Sequence, residues 1–258
     1  MKKLYVIGIG PGGEEHFTKK CVDALKDSEV IVGYKPYLDY VKKYTLDKET
    51  FTSGMRGEVE RCKKAIEFAK NGKTTSIIST GDAGLYGMAG PIYELAKEID
   101  IEIEVIPGVS SAFSAASELG APIMHDNVLI SLSDLLTPWD LILRRVELAS
   151  EGDFVISIYN PKSKERLNHL KEAVEIMLKY KDPKTPVGIV KNSGRKDTVK
   201  NITTLDSIDY NIVDMKTILI VGNKSTYIEK GVMITPRGYE IWFGSWEELV
   251  KETIFLKN

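Results

Sequence analysis

The sequence predicts an α/β protein of two α/β domains, about residues 1–121 and 122–258, with a mixed sheet in the second. Three observations predict it. Short apolar runs rich in β-branched residues alternate with segments of helical periodicity through the first half. The rhythm restarts after Gly120-Ala121-Pro122, and beyond residue 186 strand-like runs follow one another with hardly a helix between them. A chain of 258 residues is long enough to give each of two domains its own core.

Residues 4–9 form an apolar run stopped by glycine, which reads as a buried strand. Residues 14–26 place Phe17, Cys21, Val22 and Leu25 at helical spacing, and 30–32 make a second strand. Residues 58–70 set Val59, Cys62, Ala65, Ile66 and Ala69 on one helical face, ended by Asn71-Gly72 as a C-terminal cap. Strands at 74–79 and 102–106 and helices at 88–98 and 111–119 complete a parallel sheet. In the second half, strands are expected at 128–131 and 153–159 and helices at 138–149 and 164–180. Strands at 186–190, 198–203, 217–221 and 231–235 follow, with Asn192-Ser193-Gly194-Arg195 as a hairpin turn.

The 35 basic and 37 acidic residues spread evenly over both halves, so no basic face is offered and nucleic acid is not an expected partner. Two cysteines, Cys21 and Cys62, are too few for a disulfide framework or a zinc site and read as small buried hydrophobes. No metal held by protein side chains is expected. The apolar stretch 4–9 runs into Gly10-Pro11-Gly12-Gly13 with neither the length nor the cleavage site of a secretion signal. No run approaches the roughly 20 apolar residues that span a bilayer. The expected location is the cytoplasm, with no membrane partner.

Gly8-Ile9-Gly10-Pro11-Gly12-Gly13 follows a strand, precedes a helix and satisfies the GxGxxG pattern of dinucleotide-binding loops. Against that reading, Pro11 removes a backbone donor, and the second strand ends in Gly33-Tyr34 with no acid to hold a ribose. A tight turn with no ligand is the plain alternative. The informative feature is recurrence. Thr80-Gly81-Asp82-Ala83-Gly84, Pro107-Gly108-Val109-Ser110-Ser111 and Tyr159-Asn160-Pro161 also stand at strand ends. Four such loops describe a site that binds through backbone amides and small side chains, beyond the carboxyl ends of strands.

GIGPGG, STGDAGLYGMAG and IPGVSSA, in that order, resemble the tetrapyrrole methylase family, whose members use S-adenosylmethionine. GYKPYLDY (33–40), SGMRGEVERC (53–62), SLSDLLTPWDLILRR (131–145) and YNPKSKER (159–166) resemble the branch that methylates carbon 17 of precorrin-3B or cobalt-precorrin-3 in cobalamin biosynthesis. The resemblance spans essentially the whole chain. It implies a ligand cleft between the domains, a homodimer, and a reaction that couples methylation to contraction of the macrocycle. Cofactor contacts are implied at Pro11, Gly81, Asp82, Leu85, Ser110, Ser111, Asn160, Gly188 and Thr217, with S-adenosylhomocysteine as the product. Transfer from a sulfonium needs alignment and exclusion of water rather than a metal.

A macrocycle carrying several carboxylates calls for aromatic walls with cations at the rim. Tyr34, Lys35, Tyr37, Arg56, Tyr86, Met88 and Lys191 fit that description, although each tyrosine alone also fits packing. Ring contraction needs proton movement, for which Asp82, Ser131, Ser133, Asp134, Tyr86 and His125 are candidates. Ser131-Leu132-Ser133-Asp134 reads equally as a helix N-cap before Leu135. His16 and His169 fall on charged helices and show no metal-ligand spacing. The alternatives are a precorrin methyltransferase acting at carbon 11 or 20, diphthine synthase, or a non-catalytic dinucleotide-binding module; the last leaves the recurring loops unexplained.

Overall fold

The computed structural model describes residues 3–239. These divide into two compact units. One comprises the described chain up to Ala115 together with Asn192–Val199, and the other Ala116–Lys191 and the described chain from Lys200 onward. The turn expected at 192–195 therefore packs with the first unit.

In the first unit, β1 (Lys3–Gly8), β2 (Val30–Tyr34), β3 (Glu49–Ser53), β4 (Thr75–Ser79) and β5 (Glu102–Ile106) form a parallel sheet in the order β3-β2-β4-β1-β5. Its helices are α1 (Lys19–Asp27), the short α2 (Lys35–Leu38), α3 (Glu58–Lys70), α4 (Ala89–Leu95) and the start of α5 (Ser111–Leu119). Side chains on a strand alternate between faces. Leu4 and Val6 of β1 thus join Cys62, Ala65 and Ala69 of α3 in one core, while Tyr5 and Ile7 join Cys21 and Leu25 of α1 in the other. β1 is central and buried on both faces, which is why 4–9 reads as an unbroken apolar run.

Two expectations change here. The helix predicted over 14–26 is a single 3-10 turn at Glu14–His16 followed by α1, because Thr18 accepts a hydrogen bond from the Cys21 amide at 3.1 Å and sets the start. β3, at the sheet edge and largely exposed, carries no apolar run and was not expected. Cys21 and Cys62 are fully buried, as expected, and burial pushes their thiols up to about 12 and about 11.

In the second unit, β6 (Gly120–Ala121) precedes β7 (Asn127–Ser131), β8 (Val155–Tyr159), β9 (Pro186–Lys191), β10 (Val199–Thr204) and β11 (Thr217–Val221), with β12 (Tyr227–Glu229) and β13 (Val232–Ile234) last. The main sheet has the order β10-β9-β11-β8-β7, with β7 and β8 parallel and β11 antiparallel to both β8 and β9. It is the expected mixed sheet. α6 (Trp139–Glu151) and α7 (His169–Met177) supply Ile142, Val146, Leu170 and Val174 to a core shared with Ile130, Ile156 and Leu219. A small sheet of order β12-β13-β6 completes the unit.

α7 starts at His169 rather than 164. Ser163 Oγ accepts from the amides of Glu165 (3.3 Å) and Arg166 (3.1 Å), a side-chain turn that competes with helical hydrogen bonding. Among the described residues no helix is long and apolar enough to cross a membrane.

Candidate active site at the strand ends

The order β4-β1-β5 sets three strand-end loops side by side in the first unit. The loops after β1 and β4 are stitched by a two-residue bridge: Gly10 N donates to Gly81 O at 3.0 Å, and Gly81 N to Gly10 O at 2.7 Å. Gly10 and Gly81 have φ of +76° and +70°, a region that favours glycine. Asp82 ties in the third loop. Its Oδ1 accepts from the amides of Gly84 (2.8 Å) and Leu85 (3.2 Å), and its Oδ2 from the amide of Gly108 (3.0 Å). A Cβ at Gly108 would overlap the Gly81 carbonyl oxygen, so the loops meet backbone to backbone.

Pro11, Gly81, Asp82, Leu85 and Ser110 lie on these three loops, and Ser111 opens α5. Ser110 Oγ accepts from the Ala112 amide at 3.3 Å and so caps α5. The Asp82 carboxylate is engaged in loop architecture rather than standing free as an acid or base. The turn at 192–195 straps the first loop: Gly13 N donates to Gly194 O at 3.1 Å, Arg195 Nε donates to Pro11 O at 3.2 Å, and the Arg195 guanidinium lies 5.4 Å from the Tyr40 ring centre.

Of the macrocycle-binding candidates, Tyr34 and Tyr37 meet edge to face with ring centres 5.1 Å apart. Lys35 and Arg56 are exposed, Arg56 with φ +64°, and Tyr86 is exposed with φ +54°. Met88 is half-buried and packs against the core of the first unit. Arg61 was not anticipated. It is 5% exposed, donates from Nη1 to Ser53 Oγ (2.8 Å) and Gly54 O (3.0 Å), and lies 5.8 Å from the Tyr34 ring centre. It thereby anchors the loop that carries Arg56. An arginine spaced to share a face with Ala65 and Ala69 was the available signal.

In the second unit, β7 and β8 end, β9 ends and β11 begins at one edge of the sheet, so Ser131, Asn160, Lys191 and Thr217 form a row. Asn160, at φ +51°, donates from Nδ2 to Ser131 Oγ at 2.9 Å. Thr217 is buried and donates to Asp214 Oδ1 at 3.1 Å, and Lys191 pairs with Asp214 Oδ2 at 2.7 Å. Gly188 stands apart from the row within β9, opposite Ile220, where a Cβ would run into Leu119.

The N-cap reading of Ser131–Asp134 is corrected. No helix follows at Leu135, and α6 begins only at Trp139 behind Pro138. Asp134 instead lies with Oδ2 3.1 Å from His169 Nε2 and Oδ1 3.6 Å from Arg166 Nη1, while Arg166 donates to Ser133 Oγ at 3.1 Å. The hydrogen bond to His169, with Arg166 beside it, holds the Asp134 carboxyl below its usual range. His125 is a local affair, its Nδ1 accepting from the Asp126 amide at 2.8 Å. Among the described residues no three His, Cys, Asp or Glu side chains gather as a metal site would require.

Known proteins place these features in a family. The sequence model of the tetrapyrrole (corrin/porphyrin) methylases matches residues 3–209. A protein of Salmonella typhimurium named probable cobalt-factor III C(17)-methyltransferase is 50% identical over 240 residues, 92% of this chain and 100% of its own. A precorrin-3B C(17)-methyltransferase of Sinorhizobium is 35% identical over 246 residues, 92% of this chain and 96% of its own. The crystal structure of the methyltransferase CobJ superposes with a TM-score of 0.86 at 30% identity, covering 90% of this chain and 99% of that one. The chain belongs to the tetrapyrrole methylase family.

Proposed function

We propose that this chain transfers a methyl group from S-adenosylmethionine to carbon 17 of a precorrin-3-type macrocycle, coupled to ring contraction in cobalamin biosynthesis. The observation that carries this reading is the 50% identity, over the full length of the relative, to a protein named for that reaction. Identity to the relative named for cobalt-factor III (50%) exceeds that to the one named for precorrin-3B (35%), which favours a cobalt-loaded substrate. Here cobalt is cargo of the substrate.

In this reading the three interlocked loops of the first unit hold S-adenosylmethionine through backbone groups of Pro11, Gly81, Asp82 and Leu85 and through Ser110 and Ser111. The family resemblance assigns further cofactor contacts to Asn160, Gly188 and Thr217. Tyr34, Tyr37 and Met88 offer apolar surface to the macrocycle, and Lys35 and Arg56 pair with its carboxylates. The donor carbon is already activated by its sulfonium, so alignment and dehydration supply most of the rate. The enzyme is taken to act as a homodimer, which light scattering on the purified protein tests.

Calorimetric titration with S-adenosylhomocysteine, with NAD alongside, tests the cofactor. Micromolar binding of the former alone, lost in Gly81→Val, is expected; binding of NAD alone overturns the reading. Cobalt-loaded and metal-free macrocycles offered with labelled S-adenosylmethionine then separate the two substrates.

A further inference from the structure

We propose that His169, aimed by Asp134, is the group that takes the proton released when the macrocycle is methylated; this rests on the methyltransferase reading above. When a methyl group passes to a ring carbon, the carbon–sulfur bond breaks with its electron pair left on sulfur. A carbon–carbon bond forms from a ring electron pair, and the methylated ring regains its charge by shedding one proton. A base must receive that proton, and imidazole is the side chain suited to do so near neutral pH.

The geometry selects His169 for this role. Asp134 Oδ2 lies 3.1 Å from its Nε2. An ionised carboxylate only accepts hydrogen bonds, so it assigns the imidazole proton to Nε2 and leaves the Nδ1 lone pair available. Among the described residues Nδ1 has no hydrogen-bond partner, and the side chain is half-buried, with 17% of it exposed. The ring packs against Trp139, with centres 4.1 Å apart and planes tilted by 46°, and the indole is fixed by donating from Nε1 to Glu172 Oε2 at 2.9 Å. An aspartate that fixes both tautomer and orientation of a histidine is the arrangement of hydrolase triads, arrived at here on a different fold.

The pair is wired to the strand ends. Arg166, 7% exposed, holds Ser133 and faces Asp134; the Ser133 amide donates to Ser131 Oγ at 3.2 Å; Ser131 Oγ in turn accepts from Asn160. The chain of contacts from His169 to Asn160, a residue of the proposed cofactor set, is unbroken. The charged groups around the imidazole are Asp134 and Arg166 from the flanking loops and Glu172 on its own helix. Asp134 and Arg166 act as positioning residues.

The test compares wild type, His169→Gln and Asp134→Asn in methyl transfer from labelled S-adenosylmethionine to the cobalt-loaded macrocycle, over pH. Both variants are expected to melt cooperatively and bind S-adenosylhomocysteine within about threefold of wild type, while kcat falls by roughly 10²–10⁴-fold with little change in KM. The acid limb of the pH–rate profile is expected to vanish in His169→Gln, and free imidazole to restore turnover to His169→Gly. A purely structural role predicts neither of these last two results. Wild-type kcat with the acid limb intact in His169→Gln, or unaltered kcat in Asp134→Asn, overturns the inference and leaves the methyltransferase reading standing. Failure of the wild type to methylate either macrocycle, metal-free or cobalt-loaded, overturns that reading, and this inference with it.

Discussion

The two units build their strand ends from different materials. In the first, three loops meet through main-chain atoms, bridged at Gly10–Gly81 and pinned by Asp82. In the second, a network mostly of side chains runs from Asn160 to Ser131, through the Ser133 amide to Ser133 and Arg166, and on to Asp134 and His169. Backbone surfaces tolerate almost no added volume but recognise a ligand by shape and amide geometry. Side-chain networks accept conservative exchange but lose function when a single partner changes its chemistry. The first arrangement suits holding a cofactor, the second suits handling protons.

The sharpest way to break this contrast is to add atoms to the first unit. Gly108→Val drives side-chain carbons into the Gly81 and Gly8 carbonyls and is expected to cost on the order of 3 kcal/mol or more, read as a large fall in Tm. Gly54→Ala, with nothing within 4 Å of the added carbon, should leave Tm almost unchanged. Equal losses in the two would sink the claim that backbone contact governs this region.

Asp82→Ala comes next. It strips three backbone amides of their acceptor and is expected to cost about 2–3 kcal/mol and to abolish S-adenosylhomocysteine binding measured by calorimetry. In the second unit, Asn160→Gly removes the bond to Ser131 but relieves a backbone at φ +51°, so the two effects offset within about 1 kcal/mol. Asn160→Ala keeps the strain and loses the bond, and should be the less stable of the two by about 1 kcal/mol. An Ala variant as stable as the Gly variant would show that the left-handed backbone costs nothing.

The smallest effect is electrostatic. The Asp134 carboxyl is lowered in the folded protein, chiefly by His169, so its stabilisation is present above the usual carboxylate pKa and is lost as pH falls through the lowered value. Partial exposure holds this below about 1 kcal/mol. Melts between neutral and acid pH should therefore show a slightly shallower acid-side loss in Asp134→Asn than in wild type. An unchanged slope would mean that the His169 contact does not couple to folding.

The legibility of the molecule follows the same division. β1 and β11 were readable because they are buried along their length and almost wholly apolar, whereas the edge strand β3 carries no such mark. The helix starts at Lys19 and His169 were misplaced because a single hydroxyl, at Thr18 or Ser163, redirects local hydrogen bonding without disturbing apolar spacing. Asp134 was legible as a candidate by its position in a distinctive segment, yet its partner was not. His169 looked like one more polar residue on a charged helix.

By itself the sequence determined the alternation of strands and helices, the mixed character of the second sheet, the glycine loops at strand ends and the family. These rest on backbone conformation and burial, which act over a few residues and leave their mark at each position. Only the tertiary structure decided that Arg195 straps the first loop, that Arg61 anchors the loop bearing Arg56, and that His169 meets Asp134. Arg195 and Pro11 are far apart along the chain, as are Asp134 and His169. Such pairs are chosen by strand order and register, and no local pattern encodes them.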